Sequence, residues 1–96
     1  MKKVRIRKFL LPVALMKDKG SFIIYTPLLD LSSVGSTEEE ARHNFVDAAS
    51  LFFEELVDED RLDEVLTGLG WTKVRRQWEA PQVLNRSTAI AIPVPA

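Results

Sequence analysis

The stretch that most constrains the fold of this 96-residue chain is residues 35–57, GSTEEEARHNFVDAASLFFEELV. Thr37 and Glu40 have the spacing of a capping box, in which the threonine hydroxyl accepts from an early helical N–H and the glutamate reaches back to the N–H of the cap. The apolar positions that follow lie on one helical face: Ala41, Phe45, Ala48, Phe52 and Leu56. The sequence therefore predicts an amphipathic helix from Thr37 to about Val57, packed over a sheet made by the preceding residues.

The residues before this helix predict strands in hairpin order, because apolar and β-branched runs alternate there with turn signals. After a short leading strand that begins near Val4, the predicted strands are residues 9–16, 21–26 and 28–34. Pro12 predicts a bulge or an edge position, and the polar residues 17–20 predict the first turn. Since one helix covers only one face of such a sheet, the other face of residues 21–26 needs a further partner.

The C-terminal part predicts a short helix followed by strands. Asp60 is the expected N-cap of this second helix, and Gly68 and Gly70 are expected to end it. Residues 71–78 and 88–94 are predicted to form two further strands, the first ended by Pro81 and the second by Pro93 and Pro95. The predicted fold is α+β in one domain, with a β-β-β-α core over residues 1–57 and a helix–strand extension over residues 58–96.

Composition excludes several classes of function. The chain has no cysteine, so disulfides, thiolate metal sites and thiol catalysis are not available. Hydrophobic residues at 46% and charged residues at 28% are ordinary for a globular protein. We find no signal peptide and no apolar run near the roughly 20 residues of a membrane span, so a cytoplasmic protein without a membrane partner is expected.

The titratable residues do not predict an enzyme. His43 is the only histidine, and helical spacing places it on the solvent side of the long helix. The carboxylates of residues 54–64 lack calcium-loop spacing, and no pair of them suits acid–base or two-metal chemistry. We therefore expect no catalytic residues, no metal and no cofactor.

A basic and aromatic segment near the C-terminus leaves one alternative open. Arg75, Arg76 and Trp78 could contact RNA or DNA by phosphate binding and stacking, as part of a small nucleic-acid-binding or orphan oligomeric domain. The interpretation that we favour is structural: the tryptophans fill space between the tail and the second helix while the charges face water. The overall net charge of −1 agrees with the structural interpretation.

The order of strands, turn and helix resembles that of the HicB-like antitoxin family over about residues 9–57. Members of that family have a strand ending in Y-x-P-x-L, a short strand, and a G-x-T-x-x-E-A turn into a long helix, followed by an asparagine. The matching positions are Tyr25, Pro27, Leu29, Gly35, Thr37, Glu40, Ala41 and Asn44. The resemblance implies a truncated ribonuclease-H-like fold.

The resemblance also implies a function. HicB-like proteins are non-catalytic antitoxins of toxin–antitoxin systems, which bind and neutralise a small HicA-like toxin that cleaves messenger RNA. For this partner, we expect a binding surface at the end of the second strand, at Tyr25, Pro27, Leu28 and Asp30. Residues 58–96 contain neither a helix-turn-helix nor a ribbon-helix-helix pattern, so the resemblance does not extend to direct DNA binding.

The apolar tail predicts self-association. Ile90 and Ile92 lie on one side of the predicted last strand, which has no obvious partner in so small a chain. We therefore expect a homo-oligomer, a dimer or a tetramer, in which tail strands pair or exchange between subunits at Ile90 and Ile92.

Overall fold

The computed structural model describes residues 10–84 and 89–95. The elements, in chain order, are β1 (Ala14–Asp18), β2 (Ser21–Thr26), β3 (Leu31–Gly35), α1 (Glu38–Asp58), α2 (Leu62–Gly68), β4 (Thr72–Val74) and β5 (Gln77–Glu79). The first three strands form one antiparallel sheet in the order β1-β2-β3, and β4 and β5 form a separate hairpin. The predicted α+β class is confirmed.

The first hairpin is shifted relative to the prediction. β1 covers Ala14–Asp18 rather than residues 9–16, while the leading strand near Val4 lies outside the described residues. The turn consists of Lys19 and Gly20 alone, with φ angles of 49° and 83°. Two consecutive positive φ angles are those of a type I′ turn, whose twist matches that of the flanking strands, so pairing continues up to Asp18 and Ser21.

The second strand is confirmed at Ser21–Thr26, but the third begins later than predicted. Residues 27–30 form a turn, in which Asp30 has a φ of 49°. Leu28 and Leu29 are both buried. Consecutive side chains of a strand point to opposite faces of the sheet, so a strand here would bury only one of these leucines against the helices. The turn allows both of them to enter the core.

The long helix begins as predicted. Thr37 is the N-cap, and its hydroxyl accepts a hydrogen bond from the Glu40 backbone N–H at 3.0 Å. The Glu40 carboxylate reaches back one residue further than expected, to the backbone N–H and the hydroxyl of Ser36. Three glutamates in the first turn stabilise the positive end of the helix dipole: Glu38, Glu39 and Glu40.

The core has two adjoining parts, both lined by α1. Ile24 of β2 packs against Ala41 and Phe45 near the start of the helix. Leu28, Leu29, Leu66 and Trp71 form the second part, packed against partly buried aromatic side chains at the end of α1 and in β5: Phe52, Phe53 and Trp78. The turn after β2 is thereby fixed between the two helices.

The prediction that Asp60 caps the second helix is wrong. Asp60 has a φ of 56° and follows the last residue of α1 and its C-cap, Glu59. The Arg61 N–H donates to the Leu56 carbonyl at 2.8 Å, and the Asp60 N–H donates to the Val57 carbonyl at 3.2 Å, which is a Schellman motif. Asp60 therefore ends α1, and the N-cap of α2 is Arg61, without a side-chain cap bond.

The predicted strand over residues 71–78 is a hairpin. Arg75 and Arg76, with φ angles of 51° and 66°, form a two-residue turn between β4 and β5. The sequence missed this turn because neither residue is one of the glycines or asparagines that favour positive φ.

The final predicted strand, residues 88–94, is also not observed. Residues 89–95 have no regular secondary structure, and Thr88 lies outside the described part of the chain. Pro93 and Pro95 each lack the N–H that a ladder requires, and within the described residues no strand lies beside this segment. Among the described residues, no helix is long and apolar enough to cross a membrane.

We predict opposite effects of alanine at two glycines. A Cβ on Gly35 would lie 2.9 Å from the Ala41 Cα, so Gly35→Ala is expected to destabilise the fold by about 1–3 kcal/mol through overpacking. A Cβ on Gly68 meets nothing within 4 Å, so Gly68→Ala is expected to stabilise by about 0.5–1 kcal/mol. Urea unfolding of both variants tests this, and equal stabilities would contradict the close approach of β3 and α1.

Candidate protein-binding surface

The residues that carry the family resemblance meet at the junction of β3 and α1. Gly35 lies against Ala41, which is fully buried, and only a residue without a side chain fits there. The Ser33 hydroxyl donates to the Ala41 carbonyl at 2.8 Å. The spacing from Gly35 through Thr37 to Ala41 is therefore set by a tight strand-to-helix turn.

Asn44 completes this junction. Its side-chain amide donates a hydrogen bond to the Val34 backbone carbonyl of β3 at 2.9 Å. Sequence reasoning identified Asn44 as a motif position but did not give it a role. The bond ties the helix to the outer strand of the sheet and occupies an acceptor on the outer edge of that strand.

Tyr25 and Asp30 meet at the end of β2. The Tyr25 hydroxyl donates to the Asp30 Oδ1 at 3.2 Å. This hydrogen bond is the main reason why the pKa of Tyr25 lies above its ordinary value of 10.0, with smaller contributions from desolvation and from the charge of Asp30. Pro27 is exposed in the same turn. Three of the four predicted partner-binding residues are thus close together and accessible.

Leu28 is the exception, and the expectation that it lies on a binding surface is corrected. Its side chain is only 3% exposed and belongs to the core. Its backbone carbonyl accepts a hydrogen bond from the Trp71 indole N–H at 2.8 Å, and its N–H donates to the Thr26 hydroxyl. Leu28 therefore holds the turn in place and lets Pro27 and Asp30 project from it.

One face of the three-stranded sheet carries no helix. Register pairs Met16 with Ile23 and Ile23 with Val34, so these three side chains share a face. It is the face opposite α1, because Ile24 points into the core. Met16 and Val34 are 46% and 55% exposed, and Tyr25 lies on the same face. We call Met16, Ile23, Tyr25 and Val34 the open sheet face.

A second surface is acidic. Seven carboxylates at the end of α1 and in α2 are all exposed: Glu54, Glu55, Asp58, Glu59, Asp60, Asp63 and Glu64. Arg61 contacts Glu59 at 3.3 Å and Glu64 at 3.8 Å, and Lys73 contacts Asp63 at 3.7 Å. The carboxylates outnumber these two cations, so the surface, which we call the acidic end, keeps a strongly negative potential.

The acidic end and the Tyr25–Asp30 pair lie at the same end of the domain. The turn over residues 27–30 packs through Leu28 and Leu29 against α2 and the last turns of α1. The turn that carries Pro27 and Asp30 therefore packs against the same two helices that carry most of the acidic end.

The predicted nucleic-acid residues lie at the second hairpin. Arg75 and Arg76 form its tip and are exposed, while Trp78 is half-buried against the core. The Lys73 ammonium lies 5.5 Å from the centre of the Trp78 ring. The structure thus brings the two arginines together at this hairpin. Of the Trp78 ring, only the part not buried against the core is accessible to a nucleic-acid base.

The only histidine of the chain lies on the long helix. His43 is exposed on α1, as expected, and its Nε2 lies 3.4 Å from the Asp47 Oδ2. Within residues 10–84 and 89–95, no group of three histidines, cysteines or carboxylates is arranged to hold a metal ion.

The predicted interface residues of the tail are exposed. Ile90 and Ile92 are 77% and 67% accessible in the single chain. An open apolar groove lies at the start of β1, lined by Leu10, Leu11, Pro12, Val13, Ala14, Pro27 and Val83. The prediction that Ile90 and Ile92 contact another subunit stays a prediction.

Comparisons with protein-family models, with curated proteins and with solved structures found no match to this chain. The resemblance to HicB-like antitoxins therefore depends on the motif residues themselves.

Sequence reasoning missed three features of these surfaces. The period-2 alternation of residues 21–26 places Ile23 and Tyr25 on the face away from the helix, but their neighbours on that face, Met16 and Val34, required the register. The turn at Arg75 and Arg76 has no signal in the sequence. The hydrogen bond from Trp71 to Leu28 joins residues 43 positions apart and follows only from the packing.

The Tyr25–Asp30 pair gives a clean optical prediction, since Tyr25 is the only tyrosine. Ultraviolet titration is expected to show a midpoint above 10.0, and Asp30→Asn should lower it toward that value, because a neutral amide oxygen accepts a weaker hydrogen bond than a carboxylate and carries no charge. A raised pKa means that this pair contributes stability below pH 10, and that the contribution is lost as pH rises through the folded-state pKa. A midpoint that Asp30→Asn leaves unchanged would contradict the pairing.

Proposed function

We propose that this chain is a HicB-like, non-catalytic antitoxin-type protein that binds and neutralises a small, basic HicA-like toxin that cleaves messenger RNA. The observation that carries the proposal is the convergence of the motif residues on one structural unit. Gly35, Thr37, Ala41 and Asn44 each have a specific role at the β3–α1 junction. A motif whose parts act together is a stronger basis for resemblance than the same residues scattered over the fold.

The surfaces support a binding role. A tyrosine–aspartate pair and an exposed proline lie at the end of β2, in a region that packs against the helices of the acidic end, and Tyr25 also belongs to the open sheet face. A ribonuclease that binds RNA phosphates carries positive charge, so the acidic end is complementary to it. Carboxylates next to the partner's RNA-binding surface would compete with RNA for the same cations.

The fold gives this role a rigid base. Leu28 and Leu29 anchor the turn that presents Pro27 and Asp30, and the Trp71 indole bonds to its backbone. A binding loop held in one conformation loses little conformational entropy when a partner docks, which favours affinity.

The decisive experiment is purification of the tagged chain from its native host. We expect a basic protein of under about one hundred residues to co-purify, to arrest growth and cleave RNA when expressed alone, and to lose both effects when the chain is co-expressed. Recovery of the chain without such a protein, or of a partner whose activity the chain does not inhibit, would contradict the proposal.

Charge reversal tests where the partner binds. The triple variant Glu55→Lys, Asp58→Lys, Glu59→Lys is expected to slow association about tenfold or more at low salt. The reason is that the acidic end would then repel a basic partner instead of attracting it. Asp47→Lys, on an exposed part of α1 away from the acidic end, serves as control and should change the rate by less than about threefold. Surface plasmon resonance at two salt concentrations measures both.

A second candidate function is nucleic-acid binding at the tip of the second hairpin. Two consecutive arginines at positive φ cost about 1 kcal/mol each or more, and strain of this kind clusters at functional sites. Arg75→Asn with Arg76→Gly removes both charges and supplies the residues that a type I′ turn prefers.

This double variant separates the two candidates. It should raise stability by about 1–2 kcal/mol by relieving the turn, and the melting temperature measures that gain. If the hairpin binds RNA or DNA, the variant also loses salt-dependent affinity. Unchanged inhibition of the toxin by the variant would favour the antitoxin function.

A further inference from the structure

The outer edge of β1 is open within the described residues. β1 pairs only with β2, through the two-residue turn. In such a hairpin the closing pair, Asp18 and Ser21, exchanges both hydrogen bonds, and every second residue does the same. Met16 and Ala14 therefore bond to β2, whereas Leu15 and Lys17 direct their backbone N–H and C=O groups outward.

The opposite edge of the sheet is closed. By the same alternation, Val34 of β3 directs its backbone groups outward. Its carbonyl already accepts the Asn44 amide at 2.9 Å, and α1 lies along this strand. An incoming strand would have to displace Asn44, so within residues 10–84 and 89–95 the outer edge of β1 is the one available for pairing.

The tail of the chain has the composition of an edge strand. Ile90, Ile92 and Val94 alternate with small residues and are 77%, 67% and 79% exposed. Both prolines, Pro93 and Pro95, occupy the other set of alternate positions. When extended, the tail therefore keeps every N–H on the side of Ile90, Ile92 and Val94 and loses donors on the opposite side. Such a segment fits a sheet only as its outermost strand.

We propose that residues 89–95 of one copy add, antiparallel, along β1 of a second copy as a fourth strand. The N–H and C=O groups of Ile90 and Ile92 then bond to those of Leu15 and Lys17. Directly opposed residues share a face, so the isoleucines lie beside the Leu15 side chain, which is 43% exposed. Leu15 is accessible because α1 packs mainly on β2 and β3.

The geometry points to a second copy rather than to the same chain. Val83 lines a groove with Val13 and Ala14, so the chain passes the start of β1 shortly before the tail. A tail that returned directly to its own β1 would run parallel to it. The more stable antiparallel direction is open to a tail from another copy, and exchange of two tails is reciprocal under twofold symmetry. This proposal is independent of the proposed antitoxin function.

Proline substitutions in the full chain test directly which backbone N–H groups of the tail face β1. Light scattering is expected to give a dimer at micromolar concentration. Ile92→Pro removes an N–H that faces β1 and is expected to weaken the dimer at least about tenfold, whereas Ala91→Pro removes one that faces solvent and should change it less than about threefold. Ile92→Ala, which keeps the N–H, separates the loss of the side chain from the loss of the donor and should weaken the dimer less than Ile92→Pro.

Cysteine cross-linking provides a second test, which the absence of native cysteines makes clean. Chains carrying Leu15→Cys are mixed with chains carrying Ile90→Cys or Ile92→Cys and oxidised, and a disulfide between chains is expected for at least one pair. Leu15→Cys mixed with Ala91→Cys should not cross-link, since Ala91 lies on the other face.

Three results would overturn the proposal: a monomeric native chain, equal effects of Ile92→Pro and Ala91→Pro, or cross-linking within a single chain that carries both Leu15→Cys and Ile92→Cys. Circular dichroism of each variant identifies any loss of folding, and the cysteine variants preserve the backbone donors in every case.

Discussion

The close approach of Gly35 to Ala41 is the contact on which the rest of this fold depends. It brings β3 against the first turn of α1, so that Thr37 caps the helix and Asn44 reaches the Val34 carbonyl. The direction of α1 is thereby fixed over β2 and β3. Every later feature follows from that direction, including the exposed Leu15 on β1, the open sheet face and the position of the acidic end.

The same contact separates scaffold from surface. The residues that resemble the HicB-like pattern are mostly structural. Thr37 caps the helix, Ala41 packs in the core, and Gly35 has no side chain where the backbones approach. The groups left for recognition lie beyond the junction, where the turn after β2 is held by Trp71 and Leu28. On the proposed antitoxin function, these residues would preserve the shape of the domain, and the charges around them would determine which partner it binds.

The two outer edges of the sheet differ in whether their backbone hydrogen-bonding groups have partners among the described residues. Asn44 covers an acceptor on β3, whereas among the described residues no strand pairs with the outer edge of β1 or with the apolar tail. An open edge and an unpaired apolar segment in the same chain are complementary features. Their coexistence gives a physical reason to expect that the isolated subunit is not the functional unit.

The sequence by itself determined the elements with strong local signals. Residues 21–26, the Thr37 cap and the long helix were predictable, because strand alternation and capping depend on neighbours in the chain. Tertiary structure decided the rest. Asp60 ends α1 rather than starting α2, since the Leu56 carbonyl needs a partner there, and Leu28 is buried because α2 and Trp71 pack on its turn. The Arg75–Arg76 turn and the open edge of β1 depend on register and packing between distant residues, which no local pattern encodes.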